Sequence, residues 1–506
     1  MEFRLPEWRA HWESGIPMLG CRCHRRISLD PRRSNTLGWI SLLLFVSYRW
    51  ESVFESFVVL SNWLASPART PPRGGQTWHE VRVTPGRRLQ TIGIREHCQP
   101  MRLFRWTGLL VVVCGVTVRA ADWPSWRGPD RNGISQETDW SSDWAPTGPK
   151  KAWTATVGVG FSAVTVSADR VFTAGWADGQ DTVRCLEATT GKAVWTHAYE
   201  EKLGNKMYEG GPNATPVVAG GKVFAVSKTG RTLCLDAASG KVQWEVDLGK
   251  QIGAKLSDWG VSGSPVLADP QTLLIAYGPA GVALDAGTGR MRWNSGNGKD
   301  MTFATPVLAQ FGGQPTALFF MSENLVAVDP KDGRRLWTSA FGQGYKTHCS
   351  DPVVIGDRVF ISSGDDGGEL LKVSGGSAQR VWKNRNLSTF TGTAVLLNGM
   401  LYGHETAGYK TANQELRCVD LETGTVKWGE KGFGQGSILA AGARLIVLSD
   451  QGELSVVRAN PAKFELLARY QVIGGKCWTA PVLAQGRLYV RNAKGELVCL
   501  DLRPKA

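Results

Sequence analysis

The sequence predicts an all-β protein, an eight-bladed β-propeller of four-stranded blades closed by an N-terminal strand around Trp153. Three observations carry that expectation. First, a turn-and-tryptophan stretch recurs: CLEATTGKAVW (Cys185 to Trp195), LCLDAASGKVQW (Leu233 to Trp244), ALDAGTGRMRW (Ala283 to Trp293), AVDPKDGRRLW (Ala327 to Trp337) and CVDLETGTVKW (Cys418 to Trp428). Second, the period is roughly 40–50 residues with four strand-like segments in each unit, the spacing of a propeller blade. Third, the strand count closes on itself. The last unit stops at Leu500-Asp501-Leu502 without a fourth strand, and an orphan strand around Trp153 precedes the first unit. Joining the two removes exposed sheet edges.

Taken in order, residues 1–100 lack the repeat. They hold 14 Arg, no Lys and 8 acidic residues. Their apolar run from Thr36 to Tyr48 is too short for a bilayer that needs roughly 20 residues. Met101 then opens a second start. Arg102 and Arg105 form a positive n-region, Thr107 to Val118 an apolar h-region, and Val118-Arg119-Ala120 a small-residue cleavage site. This is the pattern of a secretory signal peptide. The expected organisation is an upstream extension or disorder at 1–100, a signal peptide at 101–120, an irregular segment at 121–150 and the propeller at 151–506. A true N-terminal extension stays open as the other reading of 1–100. The expected location is the periplasm or cell surface, with no stable transmembrane segment after cleavage.

The stretch from Asp122 to Gly133 (DWPSWRGPDRNG) is rich in Gly, Pro and Asn, which marks irregular structure. Eight units follow. They open on Ser162-Ala163-Val164, Thr215-Pro216-Val217, Ser264-Pro265-Val266, Thr305-Pro306-Val307, Asp351-Pro352-Val353, Thr393-Ala394-Val395, Ser437-Ile438-Leu439 and Ala480-Pro481-Val482. Alternating second strands such as Lys222 to Val226 and Arg358 to Ser362 read as half-buried. The blade-docking tryptophans are Trp153, Trp195, Trp244, Trp293, Trp337, Trp382 and Trp428. Each offers a large apolar plate and one N–H donor for the neighbouring blade. The seventh unit degenerates, with LARYQV (Leu467 to Val472) where its tryptophan strand belongs.

The formal charge of +13 concentrates at the start of the chain. Residues 121–506 hold 41 basic and 37 acidic residues, a balance that gives no reason to expect nucleic acid.

The Leu-Asp/Glu-x-x-Thr-Gly-Lys-x-x-Trp turn, as in Leu186 to Trp195, resembles the tryptophan-docking motif of quinoprotein alcohol dehydrogenase propellers. The region from Trp123 onward is similar to exported PQQ-like repeat proteins of planctomycetes and to BamB-type propellers, which share the repeat without cofactor or catalysis. The resemblance implies the fold and leaves two functions open. One is a non-catalytic module that binds a protein or polymer ligand at the propeller face. The other is a PQQ-dependent dehydrogenase oxidising an alcohol or sugar, with PQQ and Ca²⁺ as cofactors.

A quinoprotein needs oxygen ligands for Ca²⁺, a carboxylate base, cations against the quinone and stacking groups around it. The chain has no Cys-Cys pair of the kind that many relatives stack against the quinone. It has no Cys-x-x-Cys-His haem site either. Candidates lie in the loops leading into the first strand of each blade: Asp258 as base or metal ligand, Lys346 or Lys476 as quinone cation, and Trp259 or Trp478 as stacking plate. Tyr208, Glu209, Asn213, Asp300, His348 and Asp351 occupy the same loops. Ordinary polar residues at a propeller mouth are the competing interpretation of all of them. Cys185, Cys234, Cys418 and Cys499 share one repeat position and are expected to behave as small core residues rather than disulfides.

Overall fold

The computed structural model describes residues 121–144, 147–204, 208–298, 302–342, 348–406 and 414–504. The upstream extension and the signal pattern of 1–120 lie outside the described residues. Among those described, the strands form eight sheets, each an antiparallel meander of four, and one of them gains a fifth strand. Blades I to VI span 165–200, 217–247, 266–294, 307–340, 353–384 and 395–431. Blade VII is 437–471. Blade VIII is 482–501 with its outermost strand, Lys150–Thr156, taken from the other end of the chain. That strand pairs antiparallel with Glu496–Asp501, and Trp153 faces Cys499. The ring therefore closes as the strand count requires.

The repeat motif explains the joints between blades. The indole N–H of Trp153 donates to the Ala188 carbonyl at 2.9 Å, and Trp195 to Ala237 at 3.0 Å. Trp244 docks on Ala286, Trp293 on Pro330, Trp382 on Leu421 and Trp428 on Asn460, at 2.7–3.1 Å. The turn glycine serves this joint twice. Gly240 has φ 72°, and a Cβ there would stand 2.6 Å from the Trp195 ring. Glycine thus permits the left-handed turn and lets the indole lie flat on it.

A second ring of contacts runs around the channel at the unit openings. The N–H of Ala163 donates to Thr215 Oγ1, Thr215 to Ser264 Oγ, Ser264 to Thr305 Oγ1, Thr305 to Asp351 Oδ1 and Asp351 to Thr393 Oγ1, at 2.7–3.1 Å. Thr391 Oγ1 donates to the Gln435 carbonyl, Ser437 Oγ to that of Trp478 and Thr479 Oγ1 to that of Phe161. Every pair of neighbouring blades is linked. Where Ser or Thr precedes Pro-Val, at Thr215, Ser264 and Thr305, its side-chain oxygen accepts from the blade before, and Asp351 serves the same place with a carboxylate.

Residues 121–137 lie across the inner strands and close the channel. Trp123 bridges to Val166 of blade I, and Pro124 accepts from the Val218 N–H of blade II. Arg131 donates to the Leu267 carbonyl of blade III. Ile134 and Ser135 form a short strand parallel to the innermost strand of blade VII, facing Ala440 and Ala441. Glu137 accepts from the N–H groups of Gln485 and Gly486 in blade VIII. At the deepest point, Trp126 Nε1 donates to Asp351 Oδ2 at 2.7 Å. Arg127, 6% exposed, donates to the carbonyls of Thr393 and Ala394 and lies 4.0 Å from the Asp351 carboxylate. A void of about 10 Å³, room for roughly one water, remains beside them.

The joint between blades VII and VIII is built differently. Ala468 faces Val456 where Trp428 faces Cys418 one blade earlier, and the same bulge follows. The missing indole is replaced in three pieces. The ring of Tyr470 lies against Gly148, as Trp195 lies against Gly240. The Ser141 N–H takes the Leu502 carbonyl at 2.7 Å. Trp140, 4% exposed, packs into the core with Leu488, Leu500 and Leu502, against the half-buried Ala468. A groove of about 600 Å³ beside Ala468 remains open.

Candidate functional site

Successive strands run antiparallel, so the loops entering the inner strands gather at one end of the channel. The turns after those strands gather at the other. Residues 121–144 approach from the turn end, as the contacts of Asp122 with Ser167 and Ala168 and of Glu137 with Gln485 show. The opposite mouth carries the sequence candidates.

The mouth holds a continuous stack. Phe161, from the loop into blade I, lies 5.5 Å from Trp478 at an interplanar angle of 24°. Tyr208, from the loop into blade II, meets Phe161 edge-on at 5.4 Å. Lys476 places its Nζ 4.5 Å from the centre of the Trp478 ring and pairs with Glu209 Oε2 at 2.9 Å. Lys228 Nζ lies 5.4 Å from the Tyr208 ring and donates to the Gly204 carbonyl. Asn213 donates to Ser262 Oγ at 2.8 Å. Lys476 and Trp478 of blade VIII thus come together with Tyr208 and Glu209 of blade II.

Asp258 and Trp259 do not join this group. Asp258 is exposed in the loop into blade III, and Trp259 packs edge-on against Phe303 at 5.8 Å. Lys346 and Asp300 lie outside the described residues. His348 is a core residue, 1% exposed and stacked on Phe320 at 4.3 Å, with Nε2 3.0 Å from the Ser322 carbonyl. Burial pulls it down to about 4, so it is neutral at pH 7. Asp351 belongs to the channel wall and holds Trp126. Burial raises its carboxyl, against the opposing pull of Arg127.

Against the needs of a quinone cofactor, the described residues do not fit. Both candidate plates already pack against phenylalanine rings, and they belong to separate aromatic groups. The cation at Lys476 is engaged by Glu209. No group of three or more His, Cys, Asp or Glu among the described residues is placed to hold a metal ion. The six described cysteines are free, and five of them are buried.

Sequence reasoning missed Phe161, Lys228 and the stopper. Phe161 carried a signal, since it stands two residues before the Ala163 opening as Trp478 stands two before Ala480. It also missed Arg491, 1% exposed, which donates to the carbonyls of Gly158, Ser162 and Ala174 across the blade VIII–I seam. Burial lowers that guanidinium to about 9.

A family model described as outer membrane protein assembly factor BamB matches residues 135–226, 179–430 and 412–504. No curated protein matches the chain. Among solved structures, the chain is similar to quinohemoprotein alcohol dehydrogenase from Comamonas testosteroni, with 15% identity and a TM-score of 0.56 over 76% of this chain and 81% of that one. It is similar to a europium-containing methanol dehydrogenase, with 12% identity and a TM-score of 0.57 over 75% and 89%. BamB from Moraxella catarrhalis matches with 17% identity and a TM-score of 0.38 over 70% and 87%. For the two dehydrogenases the likeness is one of fold. No helix among the described residues is long and apolar enough to cross a membrane.

Proposed function

The chain belongs to the family of the outer membrane protein assembly factor BamB, and from that premise we propose that it is a non-catalytic binding module whose working surface is the open channel mouth. The observation that carries this reading is the Lys476–Glu209 pair at 2.9 Å over the Trp478 ring. It commits the described cation and plate to each other rather than to an anionic quinone. The stopper of residues 121–137 supports it further. A ligand meets the molecule at one mouth and does not thread the channel.

The partner is a protein or polymer that lies across the mouth and the loops around it. The same reading makes it an exported protein, with Met101 to Ala120 as the export signal and 121–506 as the mature chain. N-terminal sequencing of the secreted product is expected to begin at Ala121, and a first residue within 1–100 overturns that part.

Reconstitution tests the central claim. The protein is mixed with micromolar PQQ and Ca²⁺ and examined for bound-quinone absorbance and for dye reduction with a panel of alcohols and sugars. Neither signal is expected. Quinone binding with turnover that is lost in Lys476→Ala would refute the binding-module reading and favour the dehydrogenase.

A further inference from the structure

Outside the mouth, two buried titratable groups, Asp181 of blade I and Lys228 of blade II, lie at the blade I–II interface. Asp181 is 1% exposed, and neither carboxylate oxygen has a hydrogen-bond partner. It stands directly opposite Tyr199 in the third strand of blade I, on the face that Val183 and Cys185 turn toward blade II. Lys228, 5% exposed, lies across that interface in the turn after the second strand of blade II. Its ammonium donates to the Leu203 carbonyl at 3.4 Å and the Gly204 carbonyl at 2.9 Å, and no hydrogen bond joins it to Asp181. An ionised carboxylate without donors in such a place is costly. An ammonium that donates to neutral carbonyls makes weaker hydrogen bonds than one that donates to a carboxylate.

We propose that Asp181 and Lys228 form a proton-operated switch, in which Lys228 leaves the Leu203 and Gly204 carbonyls for Asp181 when Asp181 ionises.

The other charged groups around Asp181 set the direction. Glu201, which accepts from Thr229 Oγ1 and the Lys202 N–H, adds a negative charge and disfavours ionisation. Behind Tyr199 stand Arg231, 5.2 Å from the ring, its partner Glu245 at 3.4 Å, and His197. Burial first, then Glu201, raises the Asp181 carboxyl to about 7, while Lys228 pulls it back. The described arrangement, with Lys228 on the loop carbonyls, is the protonated one. Ionisation at higher pH draws the ammonium off and with it the charge near the Tyr208 ring, which belongs to the mouth stack. Gly204 sits close against the ammonium, since a Cβ there would stand 2.8 Å from Nζ.

Crystal structures of the full chain at pH 5.5 and pH 8.5 test the switch directly. Lys228 Nζ is expected on the Gly204 carbonyl at the lower pH and within hydrogen-bond reach of Asp181 at the higher. In Asp181→Asn it is expected to stay on Gly204 at both. Carbon-13 titration of the Asp181 carboxyl is expected to show a midpoint near 7, higher in Lys228→Met and lower in Gly204→Ala, which crowds the ammonium off its carbonyl. An unmoved Lys228 at pH 8.5, or a midpoint below about 5, overturns the proposal. Both readouts are independent of what binds at the mouth.

Discussion

The Ser141 N–H donates to the Leu502 carbonyl at 2.7 Å, at the position where Ala237 and Ala286 accept indole N–H groups in earlier blades. A backbone donor from one end of the chain completes a joint whose tryptophan is absent from the other. Trp140→Ala is expected to cost about 3–5 kcal/mol, because it empties a buried indole site. Ser141→Pro removes the donor and is expected to cost about 1–3 kcal/mol. Urea denaturation checks both. A cost under 1 kcal/mol for Trp140→Ala would show that the joint stands without it.

Gly289→Ala in blade III should be as damaging as many core truncations. The residue has φ 73°, and its new methyl would stand 2.7 Å from the Trp244 ring. We expect a loss of about 2–3 kcal/mol, from left-handed strain and displacement of the indole together. Gly253→Ala, at φ 68° with nothing within 4 Å, isolates the backbone part and is expected to lose about 1 kcal/mol. Thermal unfolding of the two variants separates the terms.

The stopper is anchored by Arg127 and Asp351. Arg127→Met is expected to cost about 3–5 kcal/mol, since it leaves Asp351 buried beside an uncharged neighbour. The double variant Arg127→Met/Asp351→Thr restores the hydroxyl that Thr305 and Thr393 carry at the same repeat position. It is expected to recover much of the loss, and a double-mutant cycle reads the coupling.

Asp181 makes stability depend on pH with a definite sign. Its folded carboxyl is raised from 3.8 to about 7. The folded state therefore binds the proton more tightly than the unfolded chain, and ionisation works against the fold. The penalty is absent below pH 3.8, grows as pH rises toward 7 and is constant above it. Asp181→Asn is expected to stabilise the protein at pH 8 by on the order of 2–4 kcal/mol and to change little near pH 3.5. Equal effects at both values would count against a carboxyl raised by burial.

The ring was legible because its cause is local and repeated. Turn glycine, docking tryptophan and alternating strands recur within each unit, and the spare strand around Trp153 answered the missing one after Leu502. The stopper was not legible, because Asp122 to Gly133 shows only the absence of regular structure. Its partners Leu267, Asp351 and Ala394 are remote in sequence. The loss of a tryptophan at Ala468 was visible, while its replacement was not. Thr147-Gly148 does repeat the Thr190-Gly191 turn ahead of the orphan strand, and that was the available clue. The mouth failed for a related reason. Lys476 reads as a free cation until Glu209, 267 residues away, is placed beside it.

The strand Lys150–Thr156 and the stopper before it have a consequence in time. Their partners at Leu483 and Gln485 lie 348 residues away from Ser135 and Glu137. During synthesis this stretch is made before any blade and seated after the last one. Until the final blade exists, that leading stretch has neither a sheet to join nor a complete channel to enter. Closure by such a distant contact is slow, and the waiting ends are where a partly folded chain meets another copy of itself. A chaperone acting on this protein has most to do at those two ends.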